Sequence, residues 1–239
     1  MKLTAISPCY QEIRFIQAWL ENCRLWADEV IISEGGSTDG TEVVIREYAE
    51  CYPGWIRVKE HPQDKNPQVN FWNESQRRNA LVEGVSEGYM VACDVDEMLP
   101  DDARARLESL LTPHFSFSLV FTHLWRSRRY IRIGVPGDEH WGPIGKMSVF
   151  PAGSVRAGGE INHTQWLCDL PRLDLKICKF HLHYLFDRPK VFENRLEEAR
   201  GLAAPVGGIR LALLNDELPS AMRFLSETIN YGSSGPEEI

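Results

Sequence analysis

Four short apolar runs, separated by segments of helical periodicity, punctuate the first hundred residues of the chain. Leu3 to Ser7 ends at Pro8 and suits a buried strand. Ile13 to Trp26 follows, with Ile13, Ile16, Trp19, Leu20 and Cys23 at helical spacing. Glu29 to Ser33 is a second strand, stopped by Gly35-Gly36. Thr38 or Asp39 then caps a helix through Tyr48, its apolar stripe including Val43, Val44 and Tyr48. Ile56 to Glu60 reads as a third strand and His61 to Val69 as a polar, proline-bearing loop. A helix from about Phe71 to Val85 leads to Gly88 and to a fourth strand, Tyr89 to Cys93. Strands alternating with helices imply an α/β fold: a Rossmann-like, mostly parallel sheet flanked by helices. Ligands of such sheets gather at the carboxyl ends of the strands. Pro8-Cys9-Tyr10, Glu34 and Asp94-Val95-Asp96-Glu97 are thereby expected along one rim.

The pattern changes after a helix expected from Pro100 to about Leu111. Phe115 to Trp125, Tyr130 to Ile133, Lys146 to Phe150 and Lys176 to Tyr184 read as strands without regular helices between them. Gly134 to Trp141 is a loop rich in turn formers. From about Pro189 the chain favours helix, interrupted near Pro205-Val206-Gly207-Gly208, and Tyr231 to Ile239 reads as a flexible tail. The expected organisation is one domain over 1–230: a ligand-binding half at 1–100, a mixed-strand second half at 101–187 and C-terminal helices at 188–230. The tail, 231–239, lies beyond it.

A formal charge of -8 over 239 residues argues against a general basic surface for nucleic acid, although Arg126, Arg128, Arg129 and Arg132 form a local patch. No stretch approaches the length of a transmembrane segment and Met1 to Ser7 is too short for a signal peptide, whereas peripheral membrane contact stays open. Six cysteines without a CxxC read as reduced thiols, which points to a cytoplasmic protein.

Asp94 and Asp96 flank one residue directly after the fourth apolar run. On an extended backbone, residues i and i+2 point the same way, so both carboxylates would face one space. Paired carboxylates repel unless a cation sits between them, and a hard divalent ion fits that need. A solvated acidic turn before the Pro100 helix is the other reading.

Ser7-Pro8-Cys9-Tyr10-Gln11-Glu12, Ile31 to Thr41 (IISEGGSTDGT), Gln76-Arg77-Arg78-Asn79-Ala80-Leu81 and Cys93-Asp94-Val95-Asp96-Glu97 together resemble, in order, four motifs of family 2 glycosyltransferases. The resemblance weakens in the second half, where such enzymes bind their acceptors. It implies the GT-A fold, a nucleotide-sugar donor (UDP being commonest), Mn²⁺ or Mg²⁺, inversion at the anomeric carbon, and a glycan or other hydroxyl acceptor. Glu34 stands where Asp is common, one methylene longer, and Gln11 replaces a common Asn, a change expected to matter little. By the same resemblance Pro8 and Tyr10 line the base pocket with Glu12 in the same turn, and Glu34 accepts from base or ribose. Arg78 faces the diphosphate or base, unless it is a surface helix residue, and Asn79 holds its helix against a loop. The resemblance also implies that Asp94 touches the ribose and is a second candidate for the ion, with Asp96 the direct ligand.

His181 and His183 would share one face of an extended strand, and either fits the late metal-binding His that many GT-A enzymes carry, with His183, followed by Tyr184, preferred. The acceptor hydroxyl needs a general base. Candidates are Asp138, Glu139, Glu160 and Asp169, with Glu160 first because related chains carry a glycine-led acidic or His element there, and Glu139 second. Trp141, Trp166 and the arginines from Arg126 to Arg132 are candidates for an acceptor surface, or for core packing and solvation. Two other functions compete: a nucleotidyltransferase, although Ser7 to Glu12 lacks a basic triphosphate loop, and a nucleotide-sugar-binding module without transfer. A His-rich metal hydrolase is weaker still, for the histidines form no dense cluster. The sugar, the acceptor and the oligomeric state are not legible.

Overall fold

The computed structural model describes residues 1–62, 70–124, 130–134, 144–158, 165–182, 185, 210–213 and 217–225, with backbone alone at 70–73, 130–134, 144, 165 and 210–213. The first half alternates as its periodicity dictates: β1 (Leu3–Cys9), α1 (Ile16–Trp26), β2 (Glu29–Glu34), α2 (Thr41–Cys51), β3 (Ile56–Glu60), α3 (Asn70–Val82) and β4 (Tyr89–Ala92). The short β5 (Glu97–Met98) and α4 (Ala103–Leu110) follow. The second half adds β6 (Ser116–His123), β7 (Tyr130–Gly134), β8 (Ile144–Pro151), β9 (Val155–Gly158), β10 (Gln165–Cys168), β11 (Arg172–His181) and β12 (Arg210–Leu213).

Among the described residues, eight strands make one sheet in the order β3-β2-β1-β4-β8-β6-β11-β5. β3, β2, β1 and β4 run parallel, and β8 enters antiparallel between β4 and β6. The chain winds outward from β1 through β2 to β3, then returns by α3 to β4 on the other side of β1. Right-handed crossovers made in opposite directions put their helices on opposite faces. Accordingly Leu3, Ala5, Val30, Ile32 and Val91 pack with Trp19, Leu20 and Cys23 of α1, Ile45 of α2 and Leu107 of α4. The alternate residues Ile6, Ile31, Met90 and Ala92 pack with Leu81 of α3, Ala157 of β9 and Trp166 of β10. Burial on both faces is why these strands read as continuous apolar runs rather than alternating ones. The reversal between β1 and β4 is the topological switch point, where parallel sheets open a crevice.

Three expectations need correction. α1 begins at Ile16 rather than Ile13, because the Phe15 and Ile16 N–H groups both turn back to the Glu12 carbonyl; Ile13 is exposed. The segment expected to be C-terminal helix contains a strand, β12, which pairs antiparallel with β7, and a 3-10 turn at Ser220–Phe224; the rest of it falls largely outside the described residues. Strand pairing across about eighty residues of chain overrides the local preference. Trp166 is buried against Phe150 and offers no exposed platform for an acceptor. All six cysteines are thiols, three of them buried, and none is in a disulfide. No helix among the described residues is long and apolar enough to cross a membrane.

One buried polar residue ties α1 to the rim. Asn22, fully buried, donates through Nδ2 to the Leu99 carbonyl at 2.8 Å and accepts the Leu99 N–H at 2.9 Å. Asn22→Leu would keep the volume and orphan both backbone groups, a loss of roughly 2–4 kcal/mol. Urea unfolding should show a matching drop in midpoint with an unchanged m-value.

Candidate active site

The carboxyl ends of β1 and β2 carry loops that are stitched together side chain to backbone. Gln11 stands at φ 57°, a left-handed conformation uncommon outside glycine. Its N–H donates to Ser37 Oγ at 3.0 Å, and its side-chain amide exchanges two hydrogen bonds with Thr38, at 2.9 and 3.2 Å. The longer reach of Gln over Asn thus has a structural use. Asp39 accepts the Thr41 N–H and hydroxyl on Oδ1 and the Ile13 N–H on Oδ2, while Thr41 Oγ1 accepts the Glu12 N–H. These bonds hold the Asp39 carboxyl below the usual range although burial opposes it. Thr38 and Asp39 do not cap α2, which starts at Thr41 behind Gly40 at φ 101°.

Glu34 is buried at the end of β2, and its carboxylate folds onto its own turn. Oε2 accepts the Gly36 N–H at 2.7 Å and Oε1 the Ser37 N–H at 2.9 Å. Beneath it, Arg77 of α3 is the residue that sequence reasoning passed over. Its Nη2 donates to the Cys9 carbonyl at 2.8 Å and the Ser33 carbonyl at 2.9 Å, joining the two strand ends. A Cβ at Gly35 would stand 2.9 Å from that guanidinium and 3.0 Å from the Tyr10 ring, so the close approach requires glycine. Tyr10 is exposed above this junction, and Pro8 is half-buried within β1.

The acidic motif after β4 is a turn, closed by the Glu97 N–H on the Asp94 carbonyl at 2.7 Å, not the extended segment that alternation implied. Its carboxylates therefore meet different partners. Asp94 receives a two-pronged contact from Arg78, Nη1 to Oδ1 at 3.1 Å and Nη2 to Oδ2 at 3.2 Å, while Arg78 Nε donates to Glu74. Arg78 is thus no solvated surface residue, and its guanidinium also lies 5.6 Å from the Trp166 ring. Glu97, buried, is held between Lys146 Nζ and Lys179 Nζ at 2.7 Å each, and accepts the Asp94 N–H at 2.9 Å. Lys179 is itself buried and donates to the Ala92 carbonyl. Burial alone would raise the Asp94 pKa, but Arg78, then Lys146 and Lys179, bring it down to about 2. Burial lowers the Lys179 pKa against the pull of Glu97; at Lys146, Glu97 and Asp94 outweigh burial and raise it. Lys146 and Lys179 lie on β8 and β11, where nothing local marks either lysine as the partner of a buried carboxylate.

Asp96 lies on the other side of the turn. Its Oδ2 is 3.1 Å from His181 Nε2, and its carbonyl accepts the Leu182 N–H at 2.7 Å. His181 closes β11 in register with His123 of β6, and the two Nδ1 atoms are 2.8 Å apart. The structure thus brings Asp96 and His181 together and adds His123. Asn79 pairs with the Ala157 backbone through both ends of its amide, which holds α3 against β9. Glu139, Glu160 and His183, with Asp138 and Trp141, lie outside the described residues, and Asp169 is exposed beyond β10. Among the described residues no three His, Cys, Asp or Glu side chains are grouped to hold a metal ion by themselves.

Residues 4–112 match the model of glycosyl transferase family 2. That segment belongs to the family. It contains all four motifs and supports a glycosyltransferase. The crystal structure of S. aureus TarS 1–349 superposes with a TM-score of 0.52 at 12% identity, covering 86% of this chain and 67% of that one. The same piece in complex with UDP-GlcNAc gives 0.49 at 13% identity, over 86% and 68%. Against the longer TarS structure the value is 0.48 at 13% identity, and this chain spans 40% of that one. At such identities the likeness is one of fold, the GT-A fold. No curated protein matches the sequence.

The depressed Asp94 pKa sets a pH signature. A carboxyl held below its unfolded value contributes stability that is complete above about pH 4 and fades as pH falls through the folded value. The stability gap between the wild type and Asp94→Asn should therefore narrow by on the order of 1–2 kcal/mol between pH 6 and pH 2.5. Denaturant titrations of both proteins at the two pH values measure it.

Proposed function

We propose that the chain is a divalent-cation-dependent, inverting glycosyltransferase that takes sugar from a UDP-sugar and passes it to a hydroxyl of a glycan or related acceptor. The observation that carries this reading is the pairing of Asp96 with His181, at 3.1 Å, beside a turn whose other carboxylate is already neutralised by Arg78. One oxygen and one nitrogen ligand suit Mn²⁺ or Mg²⁺ that completes its shell with water and the donor diphosphate. Asp96 and His181 would hold the ion, and when bound it supplies Lewis-acid stabilisation of the departing diphosphate.

The remaining roles fall to the residues around that pair. Tyr10, exposed at the switch point, supplies a ring for the base to stack on, with Pro8 and Glu12 in the same loop. Each Glu34 oxygen uses one lone pair on its turn and keeps a second for the base N–H or the ribose. Arg78 holds Asp94 in the orientation that presents it to the ribose. S. aureus TarS, which shares the fold, has been crystallised with UDP-GlcNAc, and this is the support for uridine as the base. The general base is Glu160, with Glu139 as the second candidate.

Asp96→Ala should abolish the Mn²⁺-dependent part of UDP binding in calorimetric titration. If the ion supplies about 4 kcal/mol to the transition state, turnover should fall on the order of 10³-fold. Mn²⁺-dependent binding at wild-type affinity in that variant would remove the cation reading.

The base is tested separately. Glu160→Gln should bind UDP and Mn²⁺ as the wild type does, yet transfer sugar about 10²-fold or more slowly. Normal transfer by Glu160→Gln together with slow transfer by Glu139→Gln would move the role to Glu139.

A further inference from the structure

The second imidazole beside Asp96 and His181 has no assigned part in this chemistry. His123 is buried at the end of β6, in register with His181, and the two rings meet through Nδ1 at 2.8 Å with centroids 4.8 Å apart. The Phe121 ring lies 4.7 Å from His123 and 4.9 Å from His181, confining both imidazoles. An Nδ1···Nδ1 hydrogen bond needs one nitrogen protonated and the other not, so the tautomers of the two rings are coupled. His181 Nε2 faces Asp96 Oδ2 at 3.1 Å. A neutral His181 that donates from Nε2 to this carboxylate has a bare Nδ1, and His123 must then carry its proton on Nδ1.

We infer that His123 is a positioning residue for His181: its Nδ1 holds the His181 ring so that Nε2 is the nitrogen presented beside Asp96. The inference rests on the cation reading given above. A ligating Nε2 must offer its lone pair, so the proton of neutral His181 sits on Nδ1 and needs an acceptor. His123 Nδ1 is that acceptor, with its own proton on Nε2. Entry of the cation thus exchanges the tautomers of both rings. One proton crosses from His123 Nδ1 to His181 Nδ1, one leaves His181 Nε2, one arrives at His123 Nε2, and none is released in balance. Partners of this kind commonly govern metal affinity through the orientation of the ligand.

The test reads two quantities that do not depend on turnover. Histidine ring ¹⁵N shifts in the cation-free wild type should show His123 as the Nδ1–H tautomer and His181 as Nε2–H. Adding Mg²⁺ with UDP should reverse both. Mn²⁺ affinity, followed by electron paramagnetic resonance in the presence of UDP, should weaken about 10-fold or more in His123→Ala. His123→Asn, which keeps a carbonyl acceptor and the buried polarity, should recover most of that loss. A His123 that stays Nε2–H in the cation-free wild type, or a His123→Ala variant with wild-type Mn²⁺ affinity, overturns the positioning role. A His181→Ala variant with wild-type Mn²⁺ affinity instead overturns the cation reading, and the ¹⁵N shifts of the cation-free protein then decide the ring contact alone.

Discussion

Charge buried at the carboxyl end of β4 has to be paired where it stands, and the site is organised around that demand. Glu97 is almost wholly withdrawn from water between Lys146 and Lys179, and Asp94 is clasped by Arg78, which in turn takes Glu74. Three cations thereby meet three carboxylates drawn from α3, from the turn, from β5, β8 and β11. Removing Glu97 would leave Lys179 buried without its counter-charge, at a cost of about 3–5 kcal/mol. The network welds the parallel and mixed parts of the sheet at the carboxyl end of β4. It also gives the two aspartates of the turn different partners, because Asp94 is held by a guanidinium.

A second constraint acts on the opposite lip of the crevice. The Cys9 carbonyl at the end of β1 and the Ser33 carbonyl one residue before the end of β2 point at the same small volume, and Arg77 fills it with one guanidinium nitrogen. That approach leaves no room for a side chain at Gly35. Glu34, one residue earlier, closes the following turn through two backbone N–H groups, and Gln11 and Asp39 lace the neighbouring loop to it. Loops fixed this heavily would lose little further entropy in binding the donor proposed above.

Legibility in the sequence follows range. Each apolar run of the first half encodes its own burial, and the glycines, prolines and acidic residues that end the runs mark the rim; β1 to β4 and α1 to α4 were accordingly readable to within a few residues. The acidic motif was readable as a feature of the rim after β4 but not as a shape. Alternation assumes an extended backbone, whereas the Glu97 N–H closes a turn and sends Asp94 and Asp96 to different partners. His123, Lys146 and Lys179 carried no signal at all, because a lone basic residue in a strand reads the same whether it faces water or a buried carboxylate. β12 was misread for a related reason: only its pairing with β7 makes it a strand.

The sequence by itself determined the α/β class, the order of the parallel strands' rim residues and the family to which residues 4–112 belong. These depend on periodicity and short motifs, which are properties of neighbouring residues. Tertiary structure alone decided that Arg77 joins two strands, that Arg78 takes Asp94, and that His181 stands between Asp96 and His123. Register across a sheet brings together side chains from distant stretches of chain, and local periodicity encodes which face of a strand is buried without encoding which strand lies beside it.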